Sequence, residues 1–521
     1  MTERCDVAIV GYGPTGQTLA ILLAQRGWRV TVLERWPRPY PMPRAVHFDH
    51  EVARIFQAAG VADALRAITE PSWTNEWRNA AGETLLRFGQ PGHTSLSGWP
   101  ESSMVHQPDL EAALDRRARA VGNVTVHRGC EVYALEPGAE RVRVCARDSS
   151  GDTRELEAAW VVGCDGAHSF VRRSMRVPVE DLGLELDWLV VDLITADPSP
   201  WSPVNWQLCD PRRPVMLSSG GPGRRRFEFM RLPREAPESM HDARTAWELV
   251  APWGLAESNA ILERHAVYTY RARWAETWRR GRLILAGEAA HLMPLFAAQG
   301  LGSCLRDVAT LAWKLDLVLR GRASEALLDT YGQERIPHVR SLISLALSLG
   351  RMMCLTDPDE AAARDSQLTA LVRAGERTPL PSPPVMGPGS VLPDDPCAGE
   401  MFPQGRVRRR AGRGAEGLFD DLVGRGWVLL GADGDPGRAL ARTERAAFAS
   451  LGGVTAHVGP GAPFEDLDGR TTRFFERTGT RLVLVRPDFR VFGTGKGPAE
   501  AAGLVAALER ELRSPTVVDD G

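Results

Sequence analysis

The chain has few cysteines, and none of them has the spacing of a metal or redox site. Its 521 residues include eight cysteines, and no two of them form a CxxC pair. Several lie inside apolar stretches, where a reduced cysteine behaves as a small hydrophobic side chain. These absences exclude a zinc ribbon and a CxxC thiol–disulfide enzyme. We predict no metal site and a reducing, cytoplasmic location.

Long apolar runs and a large net charge are also missing. No apolar run approaches the roughly 18 residues of a membrane-spanning helix, and the N-terminus lacks the pattern of a signal peptide. The net charge is −3, so nothing favours a nucleic-acid partner or a membrane partner. Lysine occurs only at Lys314 and Lys496, which we attribute to a GC-rich genome rather than to function.

The first informative motif is a glycine-rich turn between a predicted strand at 7–10 and a predicted helix. Gly11 allows the tight turn, Gly13 lets the backbone approach a pyrophosphate, and Gly16 lets helix and strand pack closely. A second apolar strand ends at Glu34, about 20 residues further on, where an acid binds a ribose 2′-OH. The pattern indicates a dinucleotide site; the alternative is a structural turn in an unrelated α/β protein.

Two further motifs each follow a predicted strand. Asp165 and Gly166 follow apolar residues at 160–162, and a GExxHxxP segment at 287–294 follows those at 283–286. A carboxylate such as Glu288 at a strand end can accept hydrogen bonds from polyol hydroxyls. A glycine-bearing helix then begins near Gly300, and its dipole can stabilise a developing anion. The segment can therefore hold a ribityl chain and stabilise a reduced flavin.

In this order the motifs resemble those of the class A, single-component FAD-dependent aromatic hydroxylases, and most of all 3-(3-hydroxyphenyl)propionate hydroxylases. The likeness includes segments at 43–49, 209–214, 225–230, 311–315 and 327–335. It is strong for 1–350 and weaker beyond. It implies that NADH or NADPH reduces FAD, that O2 adds at the flavin C4a, and that the resulting hydroperoxide hydroxylates a phenolic ring.

The resemblance also implies which residues bind FAD. By this resemblance, the ADP part is bound by Gly11, Gly13, Gly16 and Glu34 with its neighbour Arg35, and the phosphate region by Arg44. Gln107 lies at the start of the helix under the flavin, and Asp165 and Gly166 serve both FAD and NAD(P)H. The ribityl chain contacts Glu288 and Pro294, and the flavin ring contacts Gly300, Leu301 and Gly302.

Three departures from the family pattern involve four positions. The usual aspartate of the third motif is Glu288, which is one methylene longer. Ala298 adds a Cβ near the flavin ring where glycine is usual, and Gly302 and Cys304 stand where asparagine and glycine are common. Each departure could shift the flavin or slow its reduction.

Two polar residues are candidates for catalysis. His47 or Asp49 could polarise a phenol O–H, since ring attack is faster on a phenolate. Other polar side chains that could face a substrate are His50 and Tyr270. The alternative for Asp49 is a helix N-cap, because a helix is predicted from about Glu51. His291 is expected to hold its loop.

The predicted fold class is α/β, with a Rossmann-like FAD-binding domain, an inserted antiparallel β-sheet that forms the substrate domain, and a C-terminal α/β domain. The resemblance implies that the last is thioredoxin-like without redox cysteines, serving as a structural or homodimer contact. The predicted boundaries are 1–180 and 281–376 for the two parts of the FAD-binding domain, 181–280 for the sheet, 377–399 for a proline-rich linker and 400–521 for the C-terminal domain.

The predicted function is an NAD(P)H- and O2-dependent hydroxylase of a phenol, such as a 3-hydroxyphenylpropionate-type acid. One alternative is a tailoring hydroxylase of a larger aromatic natural product. An alternative of another class is a flavin-binding protein without hydroxylase activity, motivated by Glu288 and Ala298. A flavin halogenase or oxidase on the same scaffold is disfavoured, because no WxWxIP segment is present and no lysine is placed to relay hypohalous acid.

Overall fold

The computed structural model describes residues 3–89, 92–197, 204–375, 386–410 and 414–515. The predicted linker at 377–399 lies partly outside these ranges. The central layer is an eight-stranded sheet, parallel through most of its middle and built from buried β-branched runs. Its main path runs Arg279–Arg280, Leu283–Leu285, Thr153–Gly163, Glu3–Val10, Val30–Glu34 and Val124–Arg128, with Val142–Asp148 and Cys130–Pro137 added antiparallel beside Thr153–Gly163.

Helices cover this sheet and bury its apolar side chains in the largest hydrophobic core. Pro14–Ala24 is buried along almost its whole length and contacts Gln107–Val121 and Gly300–Leu319, as expected for the first helix of a doubly wound sheet. The remaining helices of the first 375 residues are His50–Ala59, Ala62–Ile68, Phe170–Met175, Ala243–Val250, Asp329–Met353 and Pro358–Arg373.

A seven-stranded sheet forms the second layer, and we call it the roof sheet. Its order is Ala260–Tyr270, Leu186–Thr195, Arg224–Met230, Val215–Ser219, Asn205–Leu208, Asn75–Arg78 and Thr84–Phe88. All its pairs are antiparallel except that between Asn205–Leu208 and Asn75–Arg78. The predicted insert at 181–280 therefore contains five of the seven strands, and the other two form a hairpin at 75–88. The alternation of apolar and polar residues in this hairpin is too short to predict which sheet it joins.

The C-terminal unit contains a four-stranded sheet in the order Val454–His457, Val428–Gly431, Leu482–Val485 and Val491–Gly495. A three-stranded sheet of Glu416–Leu418, Arg406–Arg409 and Phe464–Asp466 lies beside it, with helices Phe419–Leu422, Arg442–Ser450, Arg470–Thr478 and Ala501–Arg513. Two other three-stranded sheets complete the fold: Val179–Asp181, Arg273–Ala275 and His291–Leu292; and His47–Asp49, Ser102–Val105 and Thr69–Pro71.

The C-terminal unit shares a core with the rest of the chain. The ring of Trp313 packs edge-on against that of Trp427, with centroids 5.4 Å apart. Within the described ranges, no single helix is long and apolar enough to cross a membrane; the bent pair Glu325–Met353 and Pro358–Arg373 meets the length and composition criteria only when joined across a 108° break.

Candidate active site

The three sequence motifs lie against one another at the carboxyl ends of the central strands. Gly11 has φ +99°, and an added Cβ there would lie 2.9 Å from Cα of Asp165. An added Cβ at Gly166 would lie 3.9 Å from Oε2 of Glu288. Adjacent parallel strands thus bring together segments that are more than a hundred residues apart, at the edge where α/β sheets bind ligands.

The glycine turn leaves open space in front of a helix N-terminus. An added Cβ at Gly16 would overlap the carbonyl oxygen of Gly11, so strand and helix pack too closely for a side chain. At Gly13 the nearest atom to an added Cβ is Nη2 of Arg44, 3.7 Å away. Gly13 is the N-cap of Pro14–Ala24, whose first N–H groups have no partner within the helix. The space therefore fits a pyrophosphate, with Arg44 beside it.

Glu34 lies at the end of the neighbouring strand. Its carboxylate accepts hydrogen bonds from the N–H groups of Tyr12, at 2.7 Å, and Trp36, at 2.8 Å. A carboxylate has about four lone-pair sites, so acceptor capacity remains for a ribose hydroxyl. Arg35 is exposed, with its guanidinium over the Trp36 ring. Arg128 pairs with Glu34 in strand register and covers the Tyr12 ring, a placement that only the sheet topology reveals.

Gln107 holds the backbone that carries Arg44. Its Oε1 accepts from the N–H groups of Arg44, at 3.2 Å, and Ala45, at 2.6 Å. Its Nε2 donates to Oε1 of Glu111 at 2.6 Å, and burial raises the pKa of that carboxyl. The position predicted to contact the flavin region therefore positions the Arg44 segment.

Two arginines of the roof sheet hold the same segment from the other side. Arg226 donates to the carbonyls of Pro43, at 2.9 Å, and Arg44, at 2.5 Å, and its Nε donates to Asp192 at 2.6 Å. Arg264 also donates to the carbonyl of Pro43. These buried contacts were not predicted, because nothing in the sequence relates Arg226 or Arg264 to the distant Pro43–Arg44 segment. They fix the main chain of Arg44 while its side chain stays exposed.

The second motif is a helix cap. The carboxylate of Asp165 accepts from the hydroxyl of Ser169 at 2.5 Å and from the N–H groups of Phe170, at 2.6 Å, and Val171, at 3.1 Å. Burial raises the pKa of Asp165. The aspartate thus shapes the turn that brings Gly166 close to Glu288.

The third motif is held by a buried carboxylate, Asp307, which was not predicted as a site residue. Its Oδ2 accepts from the N–H of Gly287 at 3.0 Å and bonds Nε2 of His291 at 2.7 Å, and its Oδ1 accepts from Nε of Arg335 at 2.8 Å. Burial opposes its charge, but His291 and Arg335 outweigh it and lower the pKa of Asp307. Glu288 itself is exposed and has no hydrogen-bond partner within the described ranges, so its carboxylate is available to a ligand.

The chain next forms the N-terminus of a long helix. Pro294 leads into the turn Leu295–Ala297, and Ala298 adopts left-handed geometry with φ +51°. Gly300 begins Gly300–Leu319, and an added Cβ there would meet nothing within 4 Å. Leu301 packs against the main core. The open surface at Gly300 can accommodate a flat ring at the positive end of a 20-residue helix.

Asp49 is a helix cap and an ion-pair partner. Its Oδ1 accepts from the N–H groups of Glu51 and Val52, both at 3.1 Å. Its other oxygen pairs with Arg306, which also donates to Glu51 at 2.7 Å and fills the space beside Gly302. Burial opposes the charge of Asp49, but Arg306 outweighs it and lowers the pKa of this carboxyl. The N-cap alternative is therefore what the geometry shows.

His47 lies between the helix N-terminus and a large cavity. Its Nδ1 is 3.2 Å from the carbonyl oxygen of Ala298, so Nδ1 carries the proton and Nε2 is left as an acceptor. Burial lowers the pKa of His47 below its ordinary 6.5. His50 bonds Oγ of Ser97 at 3.0 Å, and Tyr270 donates to Glu228 at 3.3 Å.

The cavity has a volume of about 1430 Å³ and lies between the central layer, the roof sheet and the C-terminal unit. Its walls include Trp77 and Gln207 of the roof sheet, Phe296 of the turn before Ala298, and Leu342 and Leu349 of the long helix at 329–353. Apolar walls with a few polar groups are typical of a small-molecule site.

His338 is a second cavity histidine, and the sequence did not single it out. Its Nδ1 is 2.7 Å from Nη1 of Arg335, and burial lowers its pKa strongly. Neutral His338 therefore accepts at Nδ1 and carries its proton on Nε2. It lies three residues after Arg335 on one helix face, a spacing too common to mark a site.

The C-terminal unit also contributes to the cavity, through residues such as Met401 and Phe474. Buried ion pairs attach it to the FAD-binding layer: Arg54 with Asp420 at 2.7 Å, and Arg486 with Glu334 at 2.7 Å. The sequence-based interpretation of a separate structural domain missed this role, because ion pairs between distant segments leave no local pattern.

Comparison with protein families gives two matches. The family described as "FAD binding domain" matches residues 4–346, and the family described as "HcaD C-terminal domain" matches residues 399–511. Together they span the layer that carries the three motifs and the C-terminal unit.

The chain is 38% identical over 514 residues to a protein of Rhodococcus jostii (strain RHA1) named "Probable NADH-specific resorcinol 4-hydroxylase", covering 97% of this chain and 95% of the relative. It is 34% identical to a "3-(3-hydroxy-phenyl)propionate/3-hydroxycinnamic acid hydroxylase" of Mycolicibacterium gilvum (strain PYR-GCK), covering 98% and 93%. Among solved structures, a ternary complex of aklavinone-11 hydroxylase with FAD and aklavinone matches with a TM-score of 0.77 at 25% identity, covering 98% of this chain and 100% of that one. The flavin-dependent monooxygenase PieE matches with a TM-score of 0.78 at 20% identity, covering 98% and 99%.

Proposed function

The chain belongs to the FAD-binding class A flavoprotein monooxygenases, and we propose that it hydroxylates a small phenol with NADH as reductant. It is an FAD-dependent aromatic hydroxylase, since its family match spans 4–346 and its hydroxylase relatives align over nearly its whole length. The choice of NADH and of a one-ring phenol is supported by the relative named for NADH and resorcinol. The observation that carries the site assignment is that the three sequence motifs lie against one another beside the open space at Gly13; we call this region the cradle.

We propose that each part of FAD binds a different part of this cradle. The pyrophosphate would lie before the helix that follows Gly13, with Arg44 beside it; Glu34 would take a ribose hydroxyl; and Glu288 would take the ribityl chain. The flavin ring would lie at Gly300, where the helix dipole stabilises negative charge. When bound, FAD supplies the oxidation chemistry, accepting hydride from the nicotinamide and activating O2.

The protein's contribution to the phenol is a positioned base. We propose that Nε2 of His47 accepts the phenol proton, because Nδ1 is engaged by the Ala298 carbonyl and the lowered pKa keeps the ring neutral near pH 7. The proton shifts from the phenol oxygen to Nε2 as the ring attacks, so the negative charge that develops on this oxygen makes the ring more nucleophilic. We assign Asp49 a positioning role through Arg306, rather than contact with substrate.

Three further proposals concern the remainder of the molecule. We propose that the four-stranded C-terminal sheet is thioredoxin-like. This is supported by the position of Val428–Gly431, which lies between a parallel strand, Val454–His457, and an antiparallel strand, Leu482–Val485. Eight free cysteines support a reducing compartment such as the cytoplasm. Homodimer formation is a separate proposal, which light scattering tests.

A second candidate substrate class is a larger, polycyclic phenol. The cavity, at about 1430 Å³, exceeds the roughly 300–1,000 Å³ of typical small-molecule sites. A screen of one-ring and polycyclic phenols for accelerated NADH oxidation, with product mass, separates the two classes. One-ring phenols that neither accelerate oxidation nor gain oxygen would refute the first proposal.

A further inference from the structure

Two amide side chains on the cavity wall have oxygen atoms without a hydrogen-bond partner. Asn75 and Gln207 both line the cavity. Oδ1 of Asn75 and Oε1 of Gln207 are buried, and neither accepts a hydrogen bond from any residue that the structure describes. Gln207 is only 3% exposed. Buried polar groups are almost always paired in folded proteins, so two such oxygens on one wall mark a place that receives a donor.

Strand pairing explains why the two amides share this wall. Asn75–Arg78 and Asn205–Leu208 are parallel neighbours, with Trp77 opposite Gln207. Residues two apart on a strand point to the same face, so Asn75, Trp77 and Gln207 all face the cavity. Gln207 is offset from Asn75 by two residues, so the two amides are diagonal neighbours, about 7–8 Å apart, a span that one small ligand can bridge.

The same wall offers an aromatic surface. Trp77 and Phe88 both line the cavity, and their rings meet edge-on with centroids 6.5 Å apart. Phe296, which precedes Ala298, also lines it. An aromatic ring in this space would thus be bounded by other rings, an arrangement that aromatic pairs favour, while its polar substituent meets the amides.

The charge of the cavity argues against a carboxylate at this wall. Arg306 is paired with Asp49 and Glu51, and Arg490 also pairs with Glu51. Arg477 pairs with Glu400, and the other two lining arginines, Arg470 and Arg473, donate to the main-chain carbonyls of Thr94 and Asp468. The unpartnered amide oxygens suit an O–H donor, and the amide groups carry no positive charge to compensate a carboxylate.

We propose that Asn75 and Gln207 bind a second, uncharged hydroxyl on the phenol ring, which makes dihydroxybenzenes the preferred substrate class over phenols with a carboxylate side chain. The inference rests on the proposed function and deepens it. The second hydroxyl donates to Oε1 of Gln207 or Oδ1 of Asn75, while the reacting hydroxyl faces His47.

The test measures binding to the oxidised holoenzyme by the change in flavin absorbance, without NADH. The ligands are phenol, resorcinol and 3-(3-hydroxyphenyl)propionate, and the variants are Gln207→Leu and Asn75→Ala. Asn205→Ala is the matched control, because this half-buried amide lies two residues before Gln207 on the same strand face but is not among the residues that line the cavity. One satisfied hydrogen bond predicts that the wild type binds resorcinol about tenfold more tightly than phenol.

In Gln207→Leu this preference should fall to about twofold or less, with the Kd for phenol nearly unchanged, and Asn75→Ala should reduce it in part. The control should keep it. Three results would overturn the inference. If Gln207→Leu weakens binding of phenol and resorcinol equally, the residue has only a structural role; if the preference for resorcinol is unchanged, the amide binds water. If 3-(3-hydroxyphenyl)propionate binds the wild type more tightly than resorcinol, the wall is a carboxylate site. If no phenol alters the wild-type flavin spectrum or accelerates NADH oxidation, the proposed function fails instead.

Discussion

Gly13 offers the sharpest test of the phosphate cradle, because a methyl group there meets no protein atom closely. Nη2 of Arg44, at 3.7 Å, is its nearest neighbour, whereas an added Cβ at Gly16 would overlap the carbonyl oxygen of Gly11. We therefore expect Gly13→Ala to fold, with a capping cost of at most about 1 kcal/mol, and Gly16→Ala to lose stability as overpacked sites do.

The effect of Gly13→Ala on FAD should be much larger than its effect on folding. The new methyl group would stand where the pyrophosphate approaches the first N–H groups of the helix. Losing one charge-assisted hydrogen bond costs about 1.5–3 kcal/mol, which is roughly 10- to 150-fold in Kd.

Fluorescence titration of the apoprotein with FAD, together with thermal unfolding by circular dichroism, measures both effects. Gly503→Ala is the control, since an added Cβ there, in an exposed part of the last helix, meets nothing within 4 Å. A Gly13→Ala protein that binds FAD as tightly as the wild type would refute the assignment of the cradle.

Three other substitutions test separate parts of the site. Glu288→Ala should weaken FAD binding by about 1.5–3 kcal/mol, and Glu288→Asp should do so far less; equal titration curves for alanine and wild type would show that Glu288 points elsewhere. Ala298→Gly removes the strain of an alanine at φ +51°, which costs about 1–2 kcal/mol. Because glycine also has a greater entropy in the unfolded chain, the free energy of unfolding of the apoprotein should rise by only about 0.5–1 kcal/mol. A lower urea midpoint than that of the wild type would contradict this. The pKa of His47 lies below its ordinary 6.5. Because protonation removes the base, kcat/KM should decrease as the pH falls through the pKa of His47. His47→Gln should lower kcat about 10²- to 10⁴-fold and abolish this acid limb, and an unchanged limb would assign it to another group.

The turns that form the proposed nucleotide half of the site could be predicted from the sequence because their signals are local. Gly11 and Gly16 are required by backbone contacts with segments whose strand–turn–helix pattern is visible in the sequence. The apolar residues at 160–162 and 283–286, which were predicted as strands, lie in the observed parallel strands Thr153–Gly163 and Leu283–Leu285, apart from Ala286.

Of the proposed substrate half, the sequence pointed only to the segment that carries His47 and Asp49, because the other residues are far apart in the sequence. Asn75 and Gln207 share one wall only because a short hairpin pairs in parallel with a distant strand. His338 acquires its proton arrangement from Arg335 and from burial. None of these positions has a spacing that distinguishes it from an ordinary strand or helix residue.

The C-terminal unit illustrates the same limit. A proline-rich segment before it predicted an independent domain, yet Arg54 and Asp420 form a buried ion pair across the boundary. Removing either partner would leave a buried charge uncompensated, a cost of about 3–5 kcal/mol. The unit is therefore an integral wall of the cavity.

The most direct test of the central claim is the origin of the oxygen atom in the product. The purified holoenzyme would be supplied with NADH, resorcinol and isotopically labelled O2, and the product analysed by mass spectrometry. An FAD-dependent aromatic hydroxylase should add one labelled oxygen atom to the ring for each NADH consumed. Oxygen that comes from water, or NADH oxidation that yields only hydrogen peroxide with every phenol in the one-ring and polycyclic screen, would contradict the account.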